Sequence, residues 1–332
     1  MSDDVLTRRH PDRREFVSIG VGVFVALSLP AAVIRRHVSL VKRGFPVMGT
    51  IAEIQVAHRD ERFAEDAIDA AIAELQRVER TMTRFKSDSD IGRANLGASR
   101  DGIRVTAETA TVIAAALRAS SVSEGRFDPA VGEVSELWDV LNRHEPPAAD
   151  KVQRLAKRGF WRKVDLSTSS KASWVRFEDR DLHLDLGAIA KGYGIDRATQ
   201  VLRARGVKHA IVTVGGDLFA LGNSPEGSPW TVGIRSPHDL RALASTLTVS
   251  DRAVATSGDY ERFFRYRGVR YHHLMDPETA APRRTPFHSA TVIADHCIDA
   301  DAASTSVFGL PHDAALRIAR RLDSSADVIP LT

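Results

Sequence analysis

Between Asp60 and Phe85 the chain sets Phe63, Ala67, Ile68, Ala71, Ile72, Leu75 and Val78 at helical spacing, directly after a stretch, Met48 to Val56, that alternates as a strand does. A long helix with one apolar face cannot be stable alone; it must lay that face on another layer, and the alternating stretch supplies one. The same switching between periods of 3.6 and 2 recurs downstream. Thr106 to Val122 predicts a second, Ala-rich helix, and Asp185 to Arg205 predicts a strand, a tight turn and a helix. Ala210–Val214, Trp230–Ile234, Ala244–Val249, Ala253–Ser257 and His288–Ala294 read as strands, and Ala300–Leu310 and Pro311–Leu322 as helices. There is no strict strand–helix–strand rhythm. The expectation is therefore an α+β body of mixed sheets with packed helices, not a doubly wound sheet. Glu145 to Val152, with two prolines, is the best stretch for a linker.

A chain of 332 residues with 43% hydrophobic and 27% charged content is globular and large enough for an enzyme core. Its one cysteine, Cys297, excludes an internal disulfide, a CxxC zinc site and an iron–sulfur cluster. The net charge of +3 is concentrated at the start: residues 1–43 carry eight basic and four acidic side chains, so the rest is slightly acidic. The basic balance thus belongs to the leader, and a nucleic-acid partner has no compositional support.

Residues 16–34 contain no charge and follow Asp12-Arg13-Arg14-Glu15-Phe16-Val17. A charged stretch and then an apolar one reads as a signal peptide, and the arginine pair resembles the twin-arginine export signal. Nineteen apolar residues also suffice for a short membrane anchor. The expected division is residues 1–37 as signal or anchor and 38–330 as a single folded domain, located in the periplasm or anchored to the inner membrane and facing it.

No GxGxxG, GxxxxGK[ST], Gly-x-Ser-x-Gly or His-Glu-x-x-His pattern is present, which removes support for the common nucleotide and hydrolase sites. Asp185-Leu186-Gly187-Ala188-Ile189-Ala190-Lys191-Gly192-Tyr193 places a carboxylate and a lysine six apart at a predicted helix start, an anion or phosphate environment. Asp185 is equally well an ordinary helix cap and Lys191 a solvated side chain. Asp301 and Thr305, four apart, share one helix face and offer the hard oxygens that Mg²⁺ prefers; a capping Asp before a small-residue helix has the same appearance. Thr256-Ser257-Gly258-Asp259-Tyr260 and Tyr271-His272-His273-Leu274-Met275-Asp276-Pro277 flank a hairpin pattern. Adjacent histidines on a strand point to opposite faces, so one of the two can face a pocket and move a proton.

Taken in order, these segments resemble the ApbE family, the FAD:protein FMN transferases. The ordered set is Met48-Gly49-Thr50, Ser89-Asp90-Ile91-Gly92-Arg93-Ala94-Asn95, Phe127-Asp128-Pro129, the Asp185–Tyr193 stretch, Gly215-Gly216-Asp217-Leu218, Thr256–Tyr260, His273–Pro277 and Ala300-Asp301. The resemblance implies an FAD site in a cleft between two subdomains, with FAD as substrate and Mg²⁺ as cofactor. It implies flavin contacts from Met48 and Phe85, and an FAD site lined by Arg126, Phe127, Asp128, Asp185, Lys191 and Met275. The metal would take the main-chain oxygen of Ala188 and the side chains of Asp301 and Thr305. The chain departs from the pattern twice: Ser304 stands where some relatives have Asp, and Ala280 where the family usually has Gly.

The activity implied is transfer of FMN from FAD to a Thr or Ser hydroxyl of a target flavoprotein, with release of AMP and with His273 as the base, or His272 if the register slips by one. An FAD pyrophosphatase giving FMN and AMP, and a non-catalytic flavin-binding protein, are the alternatives. With its leader the chain resembles the NosX-like branch, whose acceptor is a NosR-like membrane protein with an FMN-binding domain; subunits of other electron-transport complexes are further acceptors of that kind. Membrane association is expected only through the N-terminal segment.

Overall fold

The computed structural model describes residues 23–25, 38–239 and 241–331. In chain order its elements are β1 (Val23–Val25), β2 (Ser39–Val47), β3 (Thr50–His58), α1 (Glu61–Met82), α2 (Asp90–Gly97), β4 (Ile103–Val105), α3 (Ala107–Val122), α4 (Gly132–Trp138), α5 (Ala149–Leu155), β5 (Val164–Thr168), β6 (Ser173–Phe177), α6 (Ala190–Ala204), β7 (Ala210–Val214), β8 (Asp217–Leu221), β9 (Trp230–Arg235), β10 (Leu243–Val249), β11 (Arg252–Gly258), β12 (Phe263–Tyr266), β13 (Val269–His272), β14 (Met275–Asp276), β15 (Ala281–Pro282), β16 (Ser289–Ala294), α7 (Cys297–Val307), α8 (His312–Leu322) and β17 (Asp327–Leu331). The leader and its arginine pair lie outside the described residues, apart from the short β1, which runs against β9. Among the described residues no helix is long and apolar enough to cross a membrane.

Seven strands form the main sheet in the order β17-β16-β11-β8-β7-β3-β2, every neighbouring pair antiparallel. The expected α+β class is thus the observed one. The central strands β7 and β8 are buried along their whole length because both faces of the sheet are covered. Side chains alternate between those faces. Val212, Val214, Phe219 and Leu221 enter the main core, beside Ala67, Ala71 and Leu75 of α1, Ile195 and Leu202 of α6, and Ala300 and Val307 of α7. Ile211, Leu218 and Ala220 enter a second cluster on the far side, beneath Trp230 and Val232 of β9 and Val249 of β10. A small sheet, β4-β6-β5, packs with α2 and α3.

Most of the predicted elements form, with shifted ends. Helix α3 starts one residue past Thr106, whose hydroxyl caps it by accepting from Thr109 N–H. The strand expected at the head of the Asp185–Arg205 stretch does not form; just before it His183 makes a single bridge, to Val131. Asn95 takes the place of a partner strand: its Oδ1 accepts from Leu184 N–H at 2.8 Å and its amide donates to Leu184 O at 2.9 Å. The linker expected at 145–152 instead runs into α5, whose Leu155 is buried.

Candidate functional site

The site is assembled where the starts of α6 and α7 meet beside the ends of β8 and β11. Helix α7 begins at Cys297 rather than at 300 because it is capped from outside its own segment. Asp196 of α6 accepts from Cys297 N–H at 2.8 Å and from Ile298 N–H at 2.9 Å. Gly192 allows the two helices to touch: a Cβ there would lie 2.2 Å from Cys297 O and 2.8 Å from Asp301 Cβ.

That contact brings Asp301 to the first turn of α6. Gly192 N–H, which in an uninterrupted helix would close on Ala188 O, donates instead to Asp301 Oδ2 at 2.9 Å. The Ala188 carbonyl, in the turn just before α6, therefore carries no hydrogen bond from the helix. Lys191 Nζ lies 2.7 Å from both Asp301 Oδ1 and Asp217 Oδ2. Burial works against its charge, yet the two carboxylates outweigh burial and hold the ammonium above the ordinary lysine range. Asp217, in turn, is pushed up by burial, which exceeds the help from Lys191. Thr305 lies one turn beyond Asp301, and its hydroxyl is 3.2 Å from Ser257 Oγ of β11. A free carbonyl, a carboxylate and a hydroxyl are the hard oxygen donors that suit Mg²⁺, and an ammonium already sits between the carboxylates as a cation. The residues fit the metal.

The hairpin β12–β13 places the two histidines differently. His272 is buried and both its ring nitrogens are committed: Nδ1 accepts from Leu274 N–H at 3.2 Å, so Nε2 carries the proton and donates to Arg283 O at 2.9 Å. His273 lies just past the strand, with Nδ1 3.4 Å from Arg262 O. Burial, with the Arg262 charge added, pushes its pKa down to about 3, so the ring is neutral at neutral pH. His273, and not His272, retains a nitrogen for chemistry.

The flavin-contact candidates fall into two groups. Met48 occupies the tight turn between β2 and β3 at φ 52°, a left-handed conformation unusual for a side-chain-bearing residue. Its N–H donates to Glu79 Oε1 at 2.7 Å, and its methyl group lies against Gly194 of α6. Phe85 is 81% exposed, an open aromatic face with the Arg84 guanidinium 4.4 Å from its centre. Arg84 also pairs with Asp185 at 3.0 Å, while Asp185 Oδ1 accepts from Gly187 N–H at 2.9 Å. Met275, on β14, is half-buried. These positions leave faces or edges open to a ligand.

Arg126, Phe127 and Asp128 have their side chains engaged within the protein. Arg126 donates to Ser306 O and Phe308 O at the end of α7. The Phe127 ring is in the core. Asp128 accepts from Ala130 N–H at 2.8 Å and Trp161 N–H at 3.3 Å, and burial pushes its pKa up to about 7. The structure does not bring Asp185 and Lys191 onto one group; each has its own partners. Three residues were missed as site residues. Asp217 appeared in sequence only within the Gly215-Gly216-Asp217-Leu218 segment of the resemblance, with no role of its own. Ser257 appeared only inside the Thr256–Tyr260 stretch, and Glu261, just after it, carried no signal. Glu261 has a buried Oε1 without a hydrogen bond and is pushed up to about 8 by burial and by Asp217. A second acidic group, Glu133, Glu136 and His183, also lies close together. Its carboxylates are ion-paired with Arg154 and Arg84.

The sequence profile of the ApbE family matches residues 48–329, and the chain belongs to that family. Among curated proteins it is 32% identical over 316 residues to the FAD:protein FMN transferase of Treponema pallidum, covering 91% of this chain and 87% of that one. It is 30% identical over 307 residues to the FAD:protein FMN transferase of Haemophilus influenzae, covering 90% and 89%. Among solved structures it matches the ApbE protein of Thermotoga maritima with a TM-score of 0.79 and 28% identity, over 88% of this chain and 94% of that one. It matches the flavin transferase ApbE of Vibrio cholerae with a TM-score of 0.76 and 26% identity, over 89% and 94%.

Proposed function

We propose that this chain is an FAD:protein FMN transferase that moves FMN from FAD to a Thr or Ser hydroxyl of an acceptor flavoprotein and releases AMP. The observation that carries the reading is the contact of α6 with α7, which sets Asp301 on Gly192 N–H and Lys191, with Thr305 one turn further along α7 and the Ala188 carbonyl left without a helical hydrogen bond. Mg²⁺ held there would neutralise diphosphate charge during transfer. The exposed face of Phe85 and the Met48 turn offer the flavin ring a place to stack, with FAD in a cleft between the main sheet and the smaller layer of α2, α3 and β4–β6. Asp217, through Lys191, holds the ammonium against Asp301. The neutral His273 ring accepts the acceptor's hydroxyl proton as its oxygen attacks the FMN phosphorus. One phosphorus–oxygen bond forms while the bond to the bridging oxygen breaks, and AMP departs with that electron pair.

The acceptor carries an FMN-binding domain and is exported or membrane-bound, either NosR-like or a subunit of another electron-transport complex. This part rests on residues 12–34 alone, as does placement in the periplasm by the twin-arginine route.

The test uses protein lacking residues 1–37, which leaves β2 whole, mixed with FAD, Mg²⁺ and a periplasmic FMN domain and run on denaturing gels under ultraviolet light. A fluorescent acceptor band that is lost in EDTA is the expected outcome. His273→Ala should retain FAD binding and slow labelling by roughly 10²–10⁴-fold, the usual contribution of a positioned base. AMP with free FMN and no labelled band would instead assign a pyrophosphatase, and bound FAD without AMP a flavin carrier.

A further inference from the structure

Three hydroxyls run in a line inward from the proposed metal ligand Thr305. Ser304 Oγ lies 3.0 Å from Asp301 O, Ser257 Oγ lies 2.9 Å from Ser304 Oγ, and Thr305 Oγ1 lies 3.2 Å from Ser257 Oγ. Each hydroxyl has one proton to give. A carbonyl can only accept, so the Ser304 proton goes to Asp301 O. Ser304 then accepts from Ser257, which spends the Ser257 proton. The remaining contact can form only if Thr305 donates to Ser257. With all three bonds made, the direction is fixed from Thr305 to Ser257 to Ser304 to the backbone of α7. Ser257 is 7% and Ser304 1% exposed, which leaves little access for water to substitute for either.

The consequence falls on the outer side of Thr305. A hydroxyl that serves a cation must turn lone pairs, not its proton, toward the ion. We propose that Ser257 and Ser304 are positioning residues that draw the Thr305 proton away from the cation site, so that its oxygen faces the site ready to coordinate. This rests on the assignment of Thr305 as a metal ligand under the transferase reading. Groups behind a ligand that fix its orientation commonly change metal affinity 10–100-fold when removed. Ser304 thereby has a part although its own hydroxyl is turned to the backbone.

Mn²⁺ binding, read by the loss of its free paramagnetic resonance signal, tests this without turnover. Ser257→Ala should weaken Mn²⁺ binding about tenfold or more, and Ser257→Thr, which keeps a hydroxyl, should restore most of it. Ser304→Ala should weaken binding too, because Ser257 is then free to turn its proton onto Thr305. The double variant should be no weaker than Ser257→Ala, because both act through one chain. Flavin binding should be unchanged in all, which excludes unfolding. Thr305→Ala separates the two layers. If it leaves Mn²⁺ binding intact, the ligand assignment fails. If it weakens binding while Ser257→Ala does not, or if the two serine effects simply add, the relay is overturned.

Discussion

Asp128 shows at the scale of one residue how a conserved-looking motif and a structural requirement can occupy the same side chain. The carboxyl is folded into the loop it helps to shape, and burial places its pKa at about 7, against an ordinary value near 3.9. Between those two values the folded protein binds more protons than the unfolded chain, so stability falls as pH rises through roughly 4 to 7. Asp196, pushed up to about 6, acts in the same direction. The Asp128 part is isolated by comparing wild type with Asp128→Asn in urea, without ligand, at pH 5 and pH 8. Wild type should lose up to a few kcal/mol more than the variant across that interval. Parallel losses in the two proteins would show that Asp128 does not carry the shift. None of this was visible in Phe127-Asp128-Pro129 as letters, since a turn former and a ligand contact look alike until burial is known. The strand pattern alone did not separate His272 from His273, and only the resemblance singled out His273. They separate on physical grounds only when the partners of each ring nitrogen are known.

The elements that were legible are those whose signal is local. Helix α1 carries an uninterrupted apolar stripe and Asp60 at its cap, accepting from Phe63 N–H, and it forms close to where periodicity puts it. Helix α7 was displaced by three residues because its cap, Asp196, lies 101 residues away. The strand expected at the head of the Asp185–Arg205 stretch failed for a related reason, since the distant Asn95 side chain satisfies the backbone of Leu184 just before it. Gly192 is the element-scale counterpart of these long-range effects, because it sets how near α6 approaches α7. Gly192→Ala would put a methyl group into Cys297 O. It should destabilise the fold by about 1–3 kcal/mol, the usual cost of overpacking, and weaken Mn²⁺ binding by moving Asp301 off the first turn of α6. Thermal unfolding and the Mn²⁺ titration measure the two effects. A variant with normal stability and normal metal affinity would mean that the contact can relax without moving the site.

For the whole molecule, class was legible and topology was not. Mixed periodicity without a repeating strand–helix unit indicated an α+β body, and the antiparallel sheet bears that out. The order β17-β16-β11-β8-β7-β3-β2 follows from which apolar faces meet, and no residue spells that out. The sheet has its N-terminal strand β2 at one edge and its C-terminal strand β17 at the other. The donors are split in the same way, with Lys191 and Asp301 110 positions apart. A protein ending at residue 296 lacks α7 and β17, and it should neither bind Mn²⁺ nor unfold cooperatively; retention of either property would show that the first part of the chain is self-sufficient.

This arrangement has a consequence in time. A ribosome makes this chain from one edge of the sheet to the other, so the Ala188 carbonyl and Lys191 are synthesised well before the residues that complete their surroundings. Asp301 leaves the ribosome 110 residues after Lys191, Thr305 follows it, and the strand β17 that closes the sheet leaves after both. Residues 1–37 emerge before all of these, and the proposed cation site is complete only once α7 has emerged. Any step that waits for a finished fold before acting on the N-terminal segment would therefore be acting on a protein whose proposed cation site is already assembled.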